Sequence, residues 1–327
     1  MADPVPEAPV LEVPVLEVVD LQVSFGSGKH KVTVVHDVSL RIERGEIVGV
    51  VGESGSGKTL TAMAATDLLP SGAKRDAKVW RFEGTDLLGA KRSQRAAALG
   101  GKLGVVFQDP MSSLNPARKI GNQLSDTARF WGRRSRSEAR TDAVDRLGRV
   151  RIAAPERRVD DYPHEFSGGM RQRVMIAMGL MSTPSLIVAD EPTTALDVTV
   201  QADVMNLLRE LNEQEGTAVV LVSHNIALIA EICHRVVVMY AGRIVEEISA
   251  EHLASSARHP YTRALIGSVP TLEASPDEEL SAIGGHPPDP ANLPVGCAFA
   301  DRCPLVVDHC RVERPPLIDG VACWEVD

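Results

Sequence analysis

At 327 residues the chain is long enough to bury a full core, either as one large domain with an appendage or as two ordinary domains. Its 44% hydrophobic and 24% charged content is that of a globular protein, and 35 Lys+Arg against 44 Asp+Glu give a net charge of −9, which argues against chain-wide attraction to nucleic acid. No apolar run approaches the ~20 residues that span a bilayer, and Met1 to Val19 has neither a basic n-region nor a long apolar core, so the expectation is a cytoplasmic chain that reaches any membrane through a partner.

Residues 1–12 read as a flexible, proline-rich leader. Leu16 to Phe25 and Val34 to Ile42 alternate in the manner of β-strands on either side of the turn Gly26-Ser27-Gly28. Phe25, at a strand end in a chain only 4% aromatic, is open to two readings, a platform for a nucleotide base or a core side chain.

The next stretch carries the clearest chemistry. The apolar, β-branched run Ile47-Val48-Gly49-Val50-Val51 leads into Gly52-Glu53-Ser54-Gly55-Ser56-Gly57-Lys58-Thr59, and helix-forming residues from Leu60 to Leu69 follow, stopping at Pro70-Ser71-Gly72. This strand, loop and helix sequence is that of a phosphate cradle. Gly52, Gly55 and Gly57 let backbone N–H groups turn inward around an anion. Lys58 adds a point charge, the helix N-terminus adds its dipole, and the Thr59 hydroxyl is a ligand for Mg²⁺. A chance match in a glycine-containing turn is the alternative, and the flanking strand and helix weigh against it.

Beyond it, a strand is expected around Val79 to Phe82, a solvated basic helix over Lys91 to Ala98, and a short buried strand over Leu103 to Phe107 that ends at Gln108 before Asp109-Pro110. A residue at the carboxyl end of such a strand lies where open α/β sheets bind ligand. From Ile120 to about Val159 the pattern is helical and rich in Arg and Ala, an insert on an α/β core. Phe166-Ser167-Gly168-Gly169-Met170-Arg171-Gln172-Arg173 then puts a natural N-cap and a costly glycine pair ahead of an apolar helix, Val174 to Met181, as backbone approaching a ligand would require; a plain capped helix is the alternative.

Ser185 to Asp190 and Ala218 to Val222 read as buried strands, Val200 to Glu213 as an amphipathic helix, and Val236 to Tyr240 with Arg243 to Glu247 as a hairpin. Adjacent carboxylates at the end of an apolar strand need a reason. Asp190 is read as the Mg²⁺ residue and Glu191 as the base that activates the attacking water, against the alternative of a strand emerging at a polar turn. His224, just past its strand, is expected to face the phosphates.

After about Glu251 the composition changes: seven prolines fall between Pro260 and Pro294, and four of the five cysteines lie in the last 31 residues. Cys297, Cys303, Cys310 and Cys323 are separated by 5, 6 and 12 residues. In a cytoplasmic chain they point to soft-metal ligation rather than disulfides, without the paired knuckles of structural zinc sites. An iron–sulfur cluster, a zinc ion and unliganded thiols all remain open from the spacing. Cys233, apart from the others, reads as a core thiol.

Taken in order, these segments resemble the ATP-binding subunit of an ABC transporter: a Walker A loop at Gly52 to Thr59, a Q-loop glutamine at Gln108, a signature from Phe166 to Gln172, a Walker B end at Asp190-Glu191, a D-loop at Ala195-Leu196-Asp197 and an H-loop histidine at His224. Phe107 to Pro116, His259-Pro260-Tyr261-Thr262 and Gly296-Cys297 through Cys303-Pro304 resemble the D-type ATPase of the oligopeptide/dipeptide, or nickel, importer branch. Two positions depart from the general family: Met170 ends the signature where glutamine is favoured, and Asn225 follows His224 where aspartate is usual.

The resemblance implies a P-loop α/β fold of the ABC type over residues 13–250, with an N-terminal antiparallel β subdomain and a helical subdomain at about 110–182, and a cysteine-rich extension over 251–327. It implies ATP and Mg²⁺ as ligands, with Gly52 to Leu60 and Phe25 on the nucleotide and Thr59, Gln108 and Asp190 at the metal. Glu191, Gln108 and His224 would be catalytic. Ser167 to Met170 would cap the nucleotide of a second ATPase, a paralogue. Two integral membrane permease subunits and an extracytoplasmic binding protein would complete the importer, and the cysteines would hold a 4Fe–4S cluster, with Zn²⁺ as the alternative. A non-transport ABC ATPase acting on DNA or ribosomes would need a coiled-coil insertion or tandem cassettes, neither of which the sequence has, and an iron–sulfur sensor with a vestigial nucleotide domain is disfavoured because the catalytic positions are filled.

Overall fold

A computed structural model describes residues 13–132, 134–193, 197–269 and 283–326. The expected leader and two D-loop residues, Ala195 and Leu196, lie outside them.

The first layer is an antiparallel sheet. β1 (Leu16–Phe25) and β2 (Val32–Ile42) pair along most of their length, and β1 pairs on its other side with β4 (Ala73–Asp76) and β5 (Val79–Phe82), the latter continuing to β6 (Thr85–Asp86). Leu16 and Val18, then Leu21 and Val23, are buried at period two, with a one-residue slip between the pairs at Asp20, which takes φ 52°, so the pattern resumes on the core face after the irregularity. Phe25 is partly buried and packs against this core.

The second layer is a six-stranded sheet in the order β11-β10-β3-β9-β8-β7. Its strands are β3 (Ile47–Val51), β7 (Leu103–Val106), β8 (Leu186–Asp190), β9 (Ala218–Ser223), β10 (Arg235–Tyr240) and β11 (Arg243–Ser249), of which only β11 runs antiparallel to its neighbour. Every residue of β3, β8 and β9 is buried, which explains their unbroken apolar runs: a parallel sheet covered on both faces has no solvated side. The register pairs Val51 with Ser223 and Asp190 with Val222, so these strands end level and their carboxyl-end loops share one edge.

Helix α1 (Lys58–Ala65) follows β3 and lies against β1, β2 and β9, and α2 (Arg92–Leu99) follows β6. The helix expected from Leu60 to Leu69 stops at Ala65 instead. Trp80 Nε1 donates to the Ala65 carbonyl at 2.8 Å and Arg75 Nη1 to that of Ala64 at 2.7 Å, so residues of the antiparallel sheet satisfy the helix end, while Asp67 adopts φ 62° and pairs with Arg75 and Arg95.

The helical insert comprises α3 (Pro110–Ser113), α4 (Ile120–Phe130), α5 (Arg136–Arg149) and α6 (Pro155–Arg158), and packs on α7 (Gly168–Leu180) through Leu124, Ala139, Ala143, Leu147 and Val174. Gly104 of β7 lies against α7 so closely that a Cβ there would meet the Gly179 carbonyl oxygen at 2.5 Å. Helices α8 (Val198–Glu215) and α9 (Ile226–Ile232) complete the covering of the sheet.

The remainder is built from α10 (Leu253–Ser256), α11 (Pro260–Gly267) and α12 (Asp308–Val312), joined by irregular segments. This part folds back on β11: Glu247 N–H donates to the Gly320 carbonyl and Ala322 N–H to that of Val245. The Glu246 carboxylate, 1% exposed, accepts from the backbone N–H groups of Arg258 and His259, so a buried charge is satisfied at the start of α11. Tyr240, Tyr261 and Phe299 pack in tilted and edge-to-face pairs with ring centroids 4.7–5.4 Å apart, closing the seam between β10 and the C-terminal part. Among the described residues no helix is long and apolar enough to cross a membrane.

Candidate functional site

Four strand ends meet at one edge of the parallel sheet. β3 leads into Gly52 to Gly57, and α1 starts at Lys58 from Gly57 at φ 97°, a conformation that glycine takes without strain. Gly52 has φ 150° and sits where any Cβ would lie 2.2 Å from the Met239 carbonyl oxygen. Ser54 and Gly55 are exposed at the crest of the loop, Ser56 is buried beneath it, and Leu60 is partly buried against the antiparallel layer. The first-turn N–H groups of α1 have no intrahelical acceptor and are free to meet an anion.

Lys58 is 6% exposed and its ammonium donates to the Gly52 and Glu53 carbonyls at 2.8 and 2.9 Å. Burial lowers its pKa, against the nearby charges of Glu191, Asp190 and Glu53. A phosphate offers this cation stronger partners than two carbonyls do. Thr59 Oγ1 donates to Asp190 Oδ1 at 2.8 Å, so a hydroxyl and a carboxylate, both hard oxygen donors, stand together beside the loop. That donor set fits Mg²⁺.

Glu191 receives two side chains the sequence separates widely. Gln108 Nε2 donates to its Oε2 at 3.0 Å, and His224 Nδ1 lies 3.3 Å from Oε1. Gln108 thus reaches the carboxylate after Asp190 rather than Asp190 itself. Glu191 takes φ 45°, with its N–H held by the Val222 carbonyl at 2.9 Å, so the β8–β9 pairing fixes where it points. Asn225 N-caps α9, its Oδ1 accepting from Leu228 N–H; an aspartate would cap in the same way, and here the cap is made without the charge.

Ser167 N-caps α7 through Met170 N–H, and Ser167 and Gly168 are exposed. Gly169 has a packing reason of its own, since a Cβ there would meet Val200 Cγ1 at 2.7 Å. Met170 packs partly buried against the core. Asp197 N-caps α8 through Val200 N–H.

Cys297, Cys303, Cys310 and Cys323 all line one small cavity together with His259, Phe299 and Trp324. All five cysteines carry free thiols, and Cys233 stands apart, its thiol pushed well up by burial. Burial raises Cys297 to about 11 and also lifts Cys303 and Cys323, while Leu305 N–H donates to Cys303 Sγ at 3.4 Å. Among the described residues no three His, Cys, Asp or Glu side chains are gathered as a site for a metal ion.

The family pattern for ABC transporter matches residues 35–194, and that for the C-terminal region of oligopeptide/dipeptide transporters matches residues 245–310. A probable peptide ABC transporter ATP-binding protein of Sinorhizobium fredii is 44% identical over 314 residues, covering 93% of both chains. The chain belongs to the ABC transporter ATP-binding family. Another member, the dipeptide transport ATP-binding protein DppD of Escherichia coli, is 42% identical over 297 residues, covering 91% of this chain and 90% of that one. The dimeric ATP-binding cassette MJ0796, in a post-hydrolysis state with ADP and Pi, aligns with this ABC ATPase at TM-score 0.64 and 27% identity, covering 72% of this chain and 99% of the cassette.

Sequence reasoning about this ABC ATPase missed two contacts at the loop. Tyr261 Oη accepts from Glu53 N–H at 2.7 Å, and Arg302 forks onto the Glu53 carboxylate. Their only signal was membership in the His259-Pro260-Tyr261-Thr262 and Arg302-Cys303-Pro304 segments, which says nothing of a partner in the phosphate loop.

Proposed function

We propose that this chain is the ATP-hydrolysing subunit of a peptide importer, peripheral on the cytoplasmic face of the cell membrane. It would work with two integral membrane permease subunits, an extracytoplasmic binding protein and a second, paralogous ATPase. The peptide reading rests on the named relatives and on the match over residues 245–310. We divide the chain into a nucleotide-binding domain over 13–250 and an extension over 251–327.

The observation that carries the catalytic reading is the convergence of Gln108 and His224 on Glu191. Lys58 leaves its loop carbonyls for the β- and γ-phosphates, the α1 N–H groups cradle them, and Phe25 stacks on the base. Thr59 and Asp190 would hold Mg²⁺, which neutralises charge on the phosphates when bound. Glu191 takes the proton of the attacking water, Gln108 holds that water in line, and His224 stabilises charge at the γ-phosphate. Ser167, Gly168, Gly169 and Met170 cap the partner's nucleotide, with Asp197 at the dimer seam; the exposure of Ser167 and Gly168 supports this. Phe107 and Met111, 41% and 62% exposed beside Gln108, offer the permease an apolar foothold.

On the resemblance, the four cysteines that line one small cavity would hold a 4Fe–4S cluster, with Zn²⁺ as the alternative; as they stand they are not gathered as a metal site.

The test is reconstitution with the co-purified membrane subunits in proteoliposomes. ATP-dependent peptide uptake that stops with Glu191→Gln supports the reading. Purification with nucleic acid and without integral-membrane partners would sink it.

A further inference from the structure

Glu53, the second residue of the phosphate loop, has each of its polar groups engaged. Arg302 Nη1 and Nη2 donate to Oε2 and Oε1 at 2.7 and 2.8 Å, a bidentate fork. The backbone N–H donates to Tyr261 Oη at 2.7 Å, and the carbonyl accepts from Lys58 Nζ at 2.9 Å and from Ser56 N–H at 3.2 Å. Arg302 is engaged just as fully. Nε donates to the Gly284 carbonyl at 2.7 Å, Nη1 also to Tyr240 Oη at 3.1 Å, and Nη2 also to the Ile283 carbonyl at 3.2 Å. A guanidinium has five N–H donors, and these contacts use all of them. Its side chain is 4% exposed.

Two consequences follow for a loop that must receive a triphosphate. Its inward N–H dipoles repel one another until an anion arrives, so contacts from outside that hold the backbone in shape reduce the ordering cost of binding. The Glu53 carboxylate would repel the phosphates, and a desolvated guanidinium fixed on it cancels that charge at short range. We propose that Arg302 and Tyr261 are positioning residues for ATP, acting through Glu53 to hold the phosphate loop open and electrically neutral, so that the C-terminal part sets nucleotide affinity. This rests on reading Gly52 to Thr59 as the ATP loop.

The experiment is fluorescent ATP-analogue binding to the purified full-length chain, with ATPase kinetics and thermal melts alongside. Arg302→Gln is expected to weaken binding about tenfold, raising KM with kcat unchanged. Arg302→Lys should recover little, because an ammonium cannot fork. The decisive variant is Arg302→Gln with Glu53→Gln, which removes the uncompensated carboxylate and should bind ATP more tightly than Arg302→Gln alone. Tyr261→Phe, which deletes only a hydroxyl, should weaken binding about threefold while lowering the melting temperature by only about 2–4 °C. Wild-type affinity in Arg302→Gln, or no rescue by Glu53→Gln, overturns the positioning role provided that Lys58→Ala abolishes binding. Normal binding by Lys58→Ala would overturn the reading of the loop itself.

Discussion

Thr59 Oγ1 donates a 2.8 Å hydrogen bond to Asp190 Oδ1, tying the first turn of α1 to the end of β8. Burial raises the Asp190 carboxyl above its ordinary value, with the Thr59 bond opposing and the Glu191 charge adding to the rise. A divalent cation between these oxygens relieves that cost, since it supplies the charge that lost hydration no longer screens. Asp190→Asn keeps an acceptor for Thr59 but not the charge. Mg²⁺-dependent hydrolysis should fall about a hundredfold, while nucleotide binding in EDTA stays near wild type. Normal turnover in the variant would remove Asp190 from the metal site.

Glu191 occupies a left-handed backbone conformation that costs a non-glycine residue about 1–3 kcal/mol, and the structure spends it on aiming one carboxylate between Gln108 and His224. Glu191→Gln keeps one oxygen to accept from Gln108 Nε2, turns an N–H donor towards His224 and removes the proposed base. Turnover in the assembled transporter should fall by about 10²–10⁴ with ATP affinity retained, so the variant should accumulate the nucleotide-bound dimer. Gel filtration with ATP reads the dimer and phosphate release reads the turnover. An unchanged rate would mean that another group activates the water.

The strands and loops of this site were legible because their signals are local. β3, β8 and β9 announce themselves as unbroken apolar runs, and their level ends follow from parallel pairing. The exposed edge strand Ala73–Asp76 was not legible, since Ala-Lys-Arg-Asp has no apolar alternation and is a strand only because β1 offers it a ladder. The end of α1 at Ala65 depends on Trp80 and Arg75 reaching back to its carbonyls. The Glu53 contacts span 208 and 249 residues of chain and carry no periodicity, so only the folded structure reveals them.

His259 should make folding stability sensitive to acid. It is 1% exposed, its Nδ1 accepts from Tyr261 N–H at the start of α11, and burial pushes its pKa down from 6.5 to about 4. Unfolded His259 takes up a proton below pH 6.5 and folded His259 does not until about 4, so between these values the unfolded state binds more protons. Stability from this group is therefore complete above pH 6.5 and is lost as pH falls towards 4, at up to about 1.4 kcal/mol per pH unit. His259→Asn keeps a capping acceptor without titrating. Urea melts across this window should show the variant with a shallower slope, and identical slopes would mean that His259 is protonated in the fold.

The cysteine cavity makes the last prediction. Cys297 is held as a neutral thiol, its pKa pushed up to about 11 by burial first and then by its neighbouring cysteines, and a thiol in that state is a poor ligand until a metal displaces its proton. Loading should therefore release protons and weaken as pH falls. Protein purified anaerobically should contain iron and acid-labile sulfide in equal amounts, and Cys303→Ala, which removes the thiol that accepts from Leu305 N–H, should lose both. Phe299 lines the cavity and packs edge-to-face on Tyr240 and tilted against Tyr261, so emptying the cavity should also lower the melting temperature of the full chain. Stoichiometric zinc without iron would replace the cluster with a single ion, and unchanged metal content and stability in Cys303→Ala would remove Cys303 from the ligand set.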